Sequence, residues 1–169
     1  MIEAKGISLV LRGQKILEGI SLSLKPGRIY GFQGRNGSGK TMLFRILTGL
    51  LSPSEGEVLI HGKKLEPGQV LQDLGLLLEN PAFLPGLTGY DNLAMIASIR
   101  NLADKERIEE VLSLVGLQGQ EQKKYGKYSL GMKAKLGLAN VFMEDPSVIM
   151  LDEPTNAIDG EGMIRLTEL

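Results

Sequence analysis

The stretch Gly34-Arg35-Asn36-Gly37-Ser38-Gly39-Lys40-Thr41 constrains this chain more than any other. It has the pattern G-x-x-x-x-G-K-[ST], which works only between a strand and a helix. Small residues at Gly34, Gly37, Ser38 and Gly39 let successive backbone N–H groups turn inward around a polyphosphate. Lys40 places a positive charge at the β and γ phosphates, and Thr41 offers a hydroxyl to Mg²⁺. A helix that starts near Gly39 points the positive end of its dipole at the same anion. The candidate phosphate-binding set is therefore Gly34, Arg35, Asn36, Gly37, Ser38, Gly39, Lys40, Thr41 and Met42. The flanks agree with it. Arg28-Ile29-Tyr30-Gly31-Phe32 reads as a buried strand, and Met42, Leu43, Ile46 and Leu47 recur at helical spacing up to Gly49.

At 169 residues the chain has the length of about one domain. Its 19 basic and 20 acidic residues leave a formal charge of −1, which argues against a strongly basic nucleic-acid surface, so no nucleic acid is expected as a partner. With no cysteine there are no disulfides and no thiolate metal sites, in keeping with a cytosolic setting. No apolar run approaches the roughly 20 residues of a bilayer span, and the start lacks a signal-peptide core. Any membrane part is left to a partner.

In chain order, 2–11 and 16–24 read as strands joined at Arg12-Gly13-Gln14, with Ile16, Ile20, Leu22 and Leu24 on one face of the second. After the phosphate loop and its helix, Pro53-Ser54-Glu55-Gly56 is a turn and 57–62 a short strand. His61, the sole histidine, ends that strand beside a glycine and reads as structural. Leu74-Gly75-Leu76-Leu77-Leu78 is a buried strand. From Pro81 to about Tyr128 the pattern turns helical, with Asp91 and Asp104 as N-caps and Ile108, Val111, Leu112 and Val115 as an apolar stripe stopped by Gly116. Phe83, Tyr90 and Met95 could line a partner groove, though core packing is the expected fate of each taken singly. A further helix covers 132–144.

Pro146 precedes Val148-Ile149-Met150-Leu151-Asp152-Glu153, four apolar residues ending in two acids. That is the form of a buried parallel strand whose carboxyl end reaches an active site. Asp152 is placed to approach Mg²⁺, and Glu153 to polarise a water for in-line attack on a γ-phosphate. An acid adjacent to the metal acid points to ATP hydrolysis, and the chain has no N-K-x-D guanine-reading motif.

Tyr128-Ser129-Leu130-Gly131-Met132 opens the helix ahead of that strand. In this order and spacing it resembles the L-S-G-G-Q signature of ABC-type ATPases. The whole chain from residue 2 onward resembles an ABC transporter nucleotide-binding subunit of the bacterial exporter, peptide-antibiotic-resistance-like branch, where Y-S-L-G-M replaces L-S-G-G-Q. The resemblance implies an α/β phosphate-loop NTPase core with an N-terminal antiparallel β subdomain and an inserted α-helical subdomain. It implies one ABC ATPase domain over 1–169, with 1–79 the β subdomain and phosphate-loop core. Residues 80–131 would be the helical subdomain with the signature, and 132–169 the return to the core. The cofactors implied are ATP and Mg²⁺, the metal being held by Thr41, Glu79 and Asp152, with Glu153 catalytic. In the family two subunits close head to tail, so Ser129 Oγ and the Gly131 N–H would contact the γ-phosphate bound to the opposite subunit. Asn156-Ala157-Ile158-Asp159 matches the D-loop, with Asp159 on the dimer seam. The partners implied are a second ABC subunit and a membrane-spanning transporter subunit, with this chain in the cytoplasm, peripheral at the inner face of the cell membrane.

Three departures accompany the match. Glu79 stands where the family usually has a glutamine; a carboxylate coordinates Mg²⁺ but, when ionised, donates no hydrogen bond. Leu11 stands where many members stack the adenine on a ring, keeping apolar contact without the stacking contribution. The family's switch histidine lies on a strand beyond the D-loop, past Leu169, and His61 falls at the wrong point in the order. We expect a fragment or truncated form of a longer subunit, or a partner that completes the sheet. The leading function is the energy-coupling ATPase of a membrane exporter. The alternatives are a soluble ABC ATPase acting on ribosome or nucleic acid, and a nucleotide-binding fragment without turnover.

Overall fold

A computed structural model describes residues 1–78, 81–120 and 122–153. The chain forms two compact units, one from Met1 to Gln72 and a second beginning at Asp73.

The first unit is an antiparallel sheet with one helix. Strands β1 (Ile2–Leu11) and β2 (Gln14–Leu24) pair from Ile2 opposite Leu24 to Leu11 opposite Gln14. The turn is therefore two residues, not three. Arg12 and Gly13 both take positive φ, 49° and 79°, the twist that fits a tight hairpin, so Gln14 is already in the ladder. β3 (Glu55–Ile60) pairs with the other edge of β1, and the short β4 (Lys63–Lys64) follows it. β3 begins before the expected residue 57, and His61-Gly62, with φ 51° and 77°, is the next turn rather than the strand end.

β1 buries Ile2 and Ala4, then Ile7 and Leu9. That change of phase comes from an irregularity between Ala4 and Ile7, where Gly6 has φ 61°. Serine side chains take up the amides there: Gly6 N–H donates to Ser21 Oγ at 2.9 Å, and Gly19 N–H to Ser8 Oγ at 3.1 Å. Helix α1 (Lys40–Leu47) buries Leu43, Phe44, Ile46 and Leu47, close to the expected stripe. Thr48 ends it, fully buried, its hydroxyl donating to the Phe44 carbonyl at 2.9 Å.

Residues 28–32 differ from expectation. Among the described residues they belong to neither sheet, and Ile29 is 87% exposed. A strand is completed by its neighbours' N–H and C=O groups, and this segment has no ladder partner, so its apolar composition alone does not make it one. Phe32 still packs edge-on against Phe44, ring centroids 5.3 Å apart.

The second unit joins β5 (Leu74–Leu77) and β6 (Val148–Leu151) as a parallel pair, Leu74 opposite Val148 through Leu77 opposite Leu151. Parallel strands require a long crossover, and here it contains three helices: α2 (Gly89–Arg100), α3 (Lys105–Leu114) and α4 (Leu130–Phe142). Their core includes Leu93, Val111, Leu112, Leu117, Leu136 and Met143. β5 lies so close to α4 that a Cβ on Gly75 would sit 2.7 Å from the Val141 carbonyl oxygen.

Asp104 caps α3, accepting from the Arg107 N–H at 2.9 Å. Asp91, expected to cap α2, is instead the third helical residue. Thr88 is the cap, and the two side chains form a reciprocal capping box. α4 starts at Leu130, two residues before the expected point, with Ser129 as its cap. At its other end Arg107 donates to the Phe142 carbonyl at 2.9 Å, a cation where the helix dipole is negative.

Candidate nucleotide site

In the first unit the phosphate loop wraps onto the start of α1. Gly39 is the N-cap with φ 91°, and Leu43 N–H makes the first helical bond, to the Gly39 carbonyl at 2.8 Å. The amides before Leu43 have no intrahelical acceptor, and Gly39, Lys40, Thr41 and Met42 supply them. Within the loop Ser38 N–H donates to the Arg35 carbonyl at 3.1 Å, and Gly37 takes φ 78°. Lys40 folds back so that its ammonium donates to the Gly34 carbonyl at 2.9 Å and the Arg35 carbonyl at 3.3 Å.

Two of the glycines have close neighbours. A Cβ on Gly34 would lie 2.6 Å from Ser38 Oγ, and one on Gly39 would lie 2.7 Å from Leu17 Cδ2 and 3.1 Å from the Ile16 carbonyl. Gly34, Arg35, Asn36, Gly37 and Ser38 are exposed. The residues of the motif thus form one turn whose carbonyls hold the Lys40 ammonium. Leu11, in the same unit, closes β1 beside the hairpin turn and is 39% exposed.

In the second unit β6 ends at the acid pair. Asp152 N–H donates to the Leu77 carbonyl at 2.7 Å, extending the parallel ladder by one step and fixing where the carboxylate leaves the sheet. Asp152 is half-buried; Glu153, exposed, takes φ 50° and turns the chain away. Both lie at the carboxyl end of a parallel strand, where α/β sheets hold ligands.

Ser129 Oγ accepts from the Met132 N–H at 3.2 Å, and Ser129, Leu130 and Gly131 are all exposed at the start of the 13-residue helix α4. Glu79, Asp159 and the whole 156–159 segment lie outside the described residues. Among the described residues no cluster of His, Cys, Asp and Glu forms a ready-made metal cage. The first unit carries the Thr41 hydroxyl and the second the Asp152 carboxylate, both oxygen donors of the kind Mg²⁺ takes.

Residues 17–156 match the family model for the ABC transporter. The chain belongs to the ABC transporter family. It is 39% identical over 170 residues to an uncharacterized ABC transporter ATP-binding protein, YhcH, of Bacillus subtilis, aligning 99% of this chain with 56% of that protein. It is 38% identical to the bacitracin transport ATP-binding protein of Bacillus licheniformis, again over 56% of that protein's length. The chain thus spans about half the length of these curated relatives. Among solved structures, an ATP binding subunit of an ABC transporter superposes with a TM-score of 0.85 at 25% identity, covering 99% of this chain and 72% of that one. A dimeric ATP-binding cassette bound to ADP and Pi gives 0.84 at 22% identity, covering 99% and 80%, a likeness of fold. The α/β phosphate-loop architecture with its antiparallel β part and helical insertion is that of ABC ATPase domains.

Beside these motif residues stand supporting ones that the sequence did not single out. Thr88 was legible as a capping box, Thr88-x-x-Asp91, had the first residue been weighed against the third. Asn92 carried no such signal. It is fully buried, accepts from Leu84 N–H at 2.8 Å and donates to the Leu84 and Thr88 carbonyls at 3.1 and 2.8 Å, pinning the loop before α2. Tyr125, also buried, carries its phenol against the Pro81 carbonyl, and burial pushes its pKa up.

Proposed function

We propose that this chain is the ATP-binding and ATP-hydrolysing part of a subunit that powers a membrane ABC transporter, working as an exporter. One observation carries the reading: the Lys40 ammonium sits within the Gly34–Gly39 turn at the start of α1, held by two loop carbonyls. A polyphosphate fits that turn by replacing those carbonyls as the ammonium's partner and by accepting the first-turn amides. Gly34 to Met42 bind the phosphates, and Leu11 offers the base an apolar contact. On this reading Thr41, Asp152 and Glu79 are the residues that would hold Mg²⁺, which when bound would draw charge from the phosphate oxygens. Glu153 holds and orients the attacking water and takes its proton.

Ser129 and Gly131 complete the site of a second ABC subunit, and Asp159 lies on the seam between the two. On this reading residues 1–169 are one ABC ATPase domain, divided as 1–79, 80–131 and 132–169. Among the described residues no helix is long and apolar enough to cross a membrane; the relatives named as transport ATP-binding proteins support a separate membrane-spanning partner, with this chain at the inner face of the cell membrane. Relatives named for bacitracin and lantibiotic transport support peptide antibiotics as cargo.

Phosphate release from Mg–ATP by the full-length subunit tests the chemistry. Glu153→Gln is expected to keep nucleotide affinity within about twofold and to lower turnover by at least the 10²-fold typical of losing a general base. Unchanged turnover in that variant removes Glu153 from the mechanism.

A further inference from the structure

The segment that leaves β5 and the turn that enters α4 are zipped together. Tyr125 N–H donates to the Leu87 carbonyl at 2.9 Å and Gly126 N–H to the Pro85 carbonyl at 3.0 Å, and Thr88 faces Lys124 in an antiparallel bridge. The approach at Gly126 is close: a Cβ there would sit 3.1 Å from the Pro85 oxygen. The Tyr125 ring, 7% exposed, packs edge-on against Phe83 with centroids 5.3 Å apart, and its hydroxyl donates to the Pro81 carbonyl at 3.2 Å. The Lys133 ammonium of α4 lies 5.2 Å above the same ring. Pro81 in turn rests on α4, where a Cβ on Gly137 would meet its Cγ at 3.0 Å. One side chain therefore touches the backbone just past β5, the loop before α2 and the first turns of α4.

The connection from that ring to the start of α4 is short and stiff. Tyr125–Lys127 is a single 3₁₀ turn, and Tyr128 N–H closes it on the Tyr125 carbonyl at 3.0 Å. Ser129 follows directly. Tyr128 is held too, its hydroxyl donating to the Gln120 carbonyl at 3.0 Å and filling the space that a Cβ on Gly89 would need.

We propose that Tyr125 is a positioning residue for the Ser129–Gly131 helix start, tying it through the phenol to the backbone at Pro81. This rests on the nucleotide reading, since Ser129 and Gly131 are the groups being positioned. Pro81 comes two residues after Glu79 in the sequence. A shift of the chain at Pro81 is thereby passed on as a movement of Ser129. The bond that does this is directional. Edge-on packing of Phe83 and Tyr125 tolerates sliding, whereas one hydroxyl aimed at one carbonyl does not.

The test is amide hydrogen exchange on the chain with Tyr125→Phe, which keeps the ring and removes the hydroxyl. The Met132 and Gly126 amides are expected to exchange about fivefold faster, the effect of one lost hydrogen bond on local opening. The Leu112 amide, in the core of α3, is expected to keep its wild-type protection. Gly126→Ala is a second variant. It crowds Pro85 with the hydroxyl intact, and the same local acceleration at Met132 is expected. Wild-type exchange at Met132 in Tyr125→Phe overturns the proposal whatever Gly126→Ala does, as does equal acceleration at Leu112, which is what general loosening produces. Mg–ATP affinity measured on the same samples is expected to be unchanged by either variant. Wild-type chain that binds no nucleotide defeats the functional reading, while the exchange pattern still decides whether Tyr125 is the tie.

Discussion

Replacing Gly39 by alanine tests the phosphate loop where it packs against β2, and Gly37 provides the internal control. Both glycines have positive φ, 91° and 78°. An alanine at either carries about 1–2 kcal/mol for the left-handed backbone. Their surroundings differ. A Cβ on Gly37 meets nothing within 4 Å, whereas one on Gly39 falls 2.7 Å from Leu17 Cδ2 and 3.1 Å from the Ile16 carbonyl. Optimal carbon–carbon separation is about 3.5–4.0 Å, so the overlap at Leu17 is close to 1 Å. Leu17 is only 7% exposed and has little room to retreat, and the Ile16 carbonyl is backbone. Crowding of this kind adds about 1–3 kcal/mol.

Gly37→Ala should therefore cost about 1–2 kcal/mol and Gly39→Ala about 2–5 kcal/mol. Urea unfolding followed through the Leu43 and Phe44 amide signals reads the first unit directly, which matters because the chain has no tryptophan. Equal losses in the two variants, within about 0.5 kcal/mol, the usual spread for uncoupled sites, would show that packing of β2 against the start of α1 is not what demands glycine at 39.

Two further outcomes follow from the second unit. Asn92→Leu leaves the Leu84 amide without its acceptor and removes two donated bonds, so it should cost about 2–4 kcal/mol in thermal or urea unfolding of that unit; a loss below about 1 kcal/mol, the net worth of a single bond, would mean the loop before α2 is held otherwise. Burial raises the Tyr125 pKa above its ordinary value of 10.0. The neutral phenol's contribution is therefore complete below that value and is lost as pH rises through the raised one, so wild-type stability should decline in the alkaline range more steeply than that of Tyr125→Phe. Parallel stability curves for the two proteins would refute it.

Local pattern was enough wherever a structure is decided within a few residues. The α1 stripe, the Asp104 cap, the α3 stripe ending at Gly116 and the apolar run into Asp152-Glu153 are all present in the fold, because helical spacing and caps act over one or two turns. The glycine loop was legible for the same reason. The failures involve competition or distance. Thr88 and Asp91 can each cap a helix, and which one does depends on where the backbone turns from extended to helical. Residues 28–32 have strand composition, but strand formation depends on a ladder supplied from elsewhere in the chain. The phase change in β1 at Gly6, and the Tyr125 contact with Pro81 across 44 positions, depend on pairings that no window of sequence contains.

Calorimetric titration of this chain with Mg–ATP, beside Lys40→Ala, tests the central claim most directly. The account predicts saturable, Mg²⁺-dependent binding by the wild-type chain. It also predicts a loss of about 10-fold or more in Lys40→Ala, since a hydrogen bond to a charged group contributes about 1.5–3 kcal/mol. A folded chain that shows no binding, or a Lys40→Ala variant that binds as tightly as wild type, would contradict it.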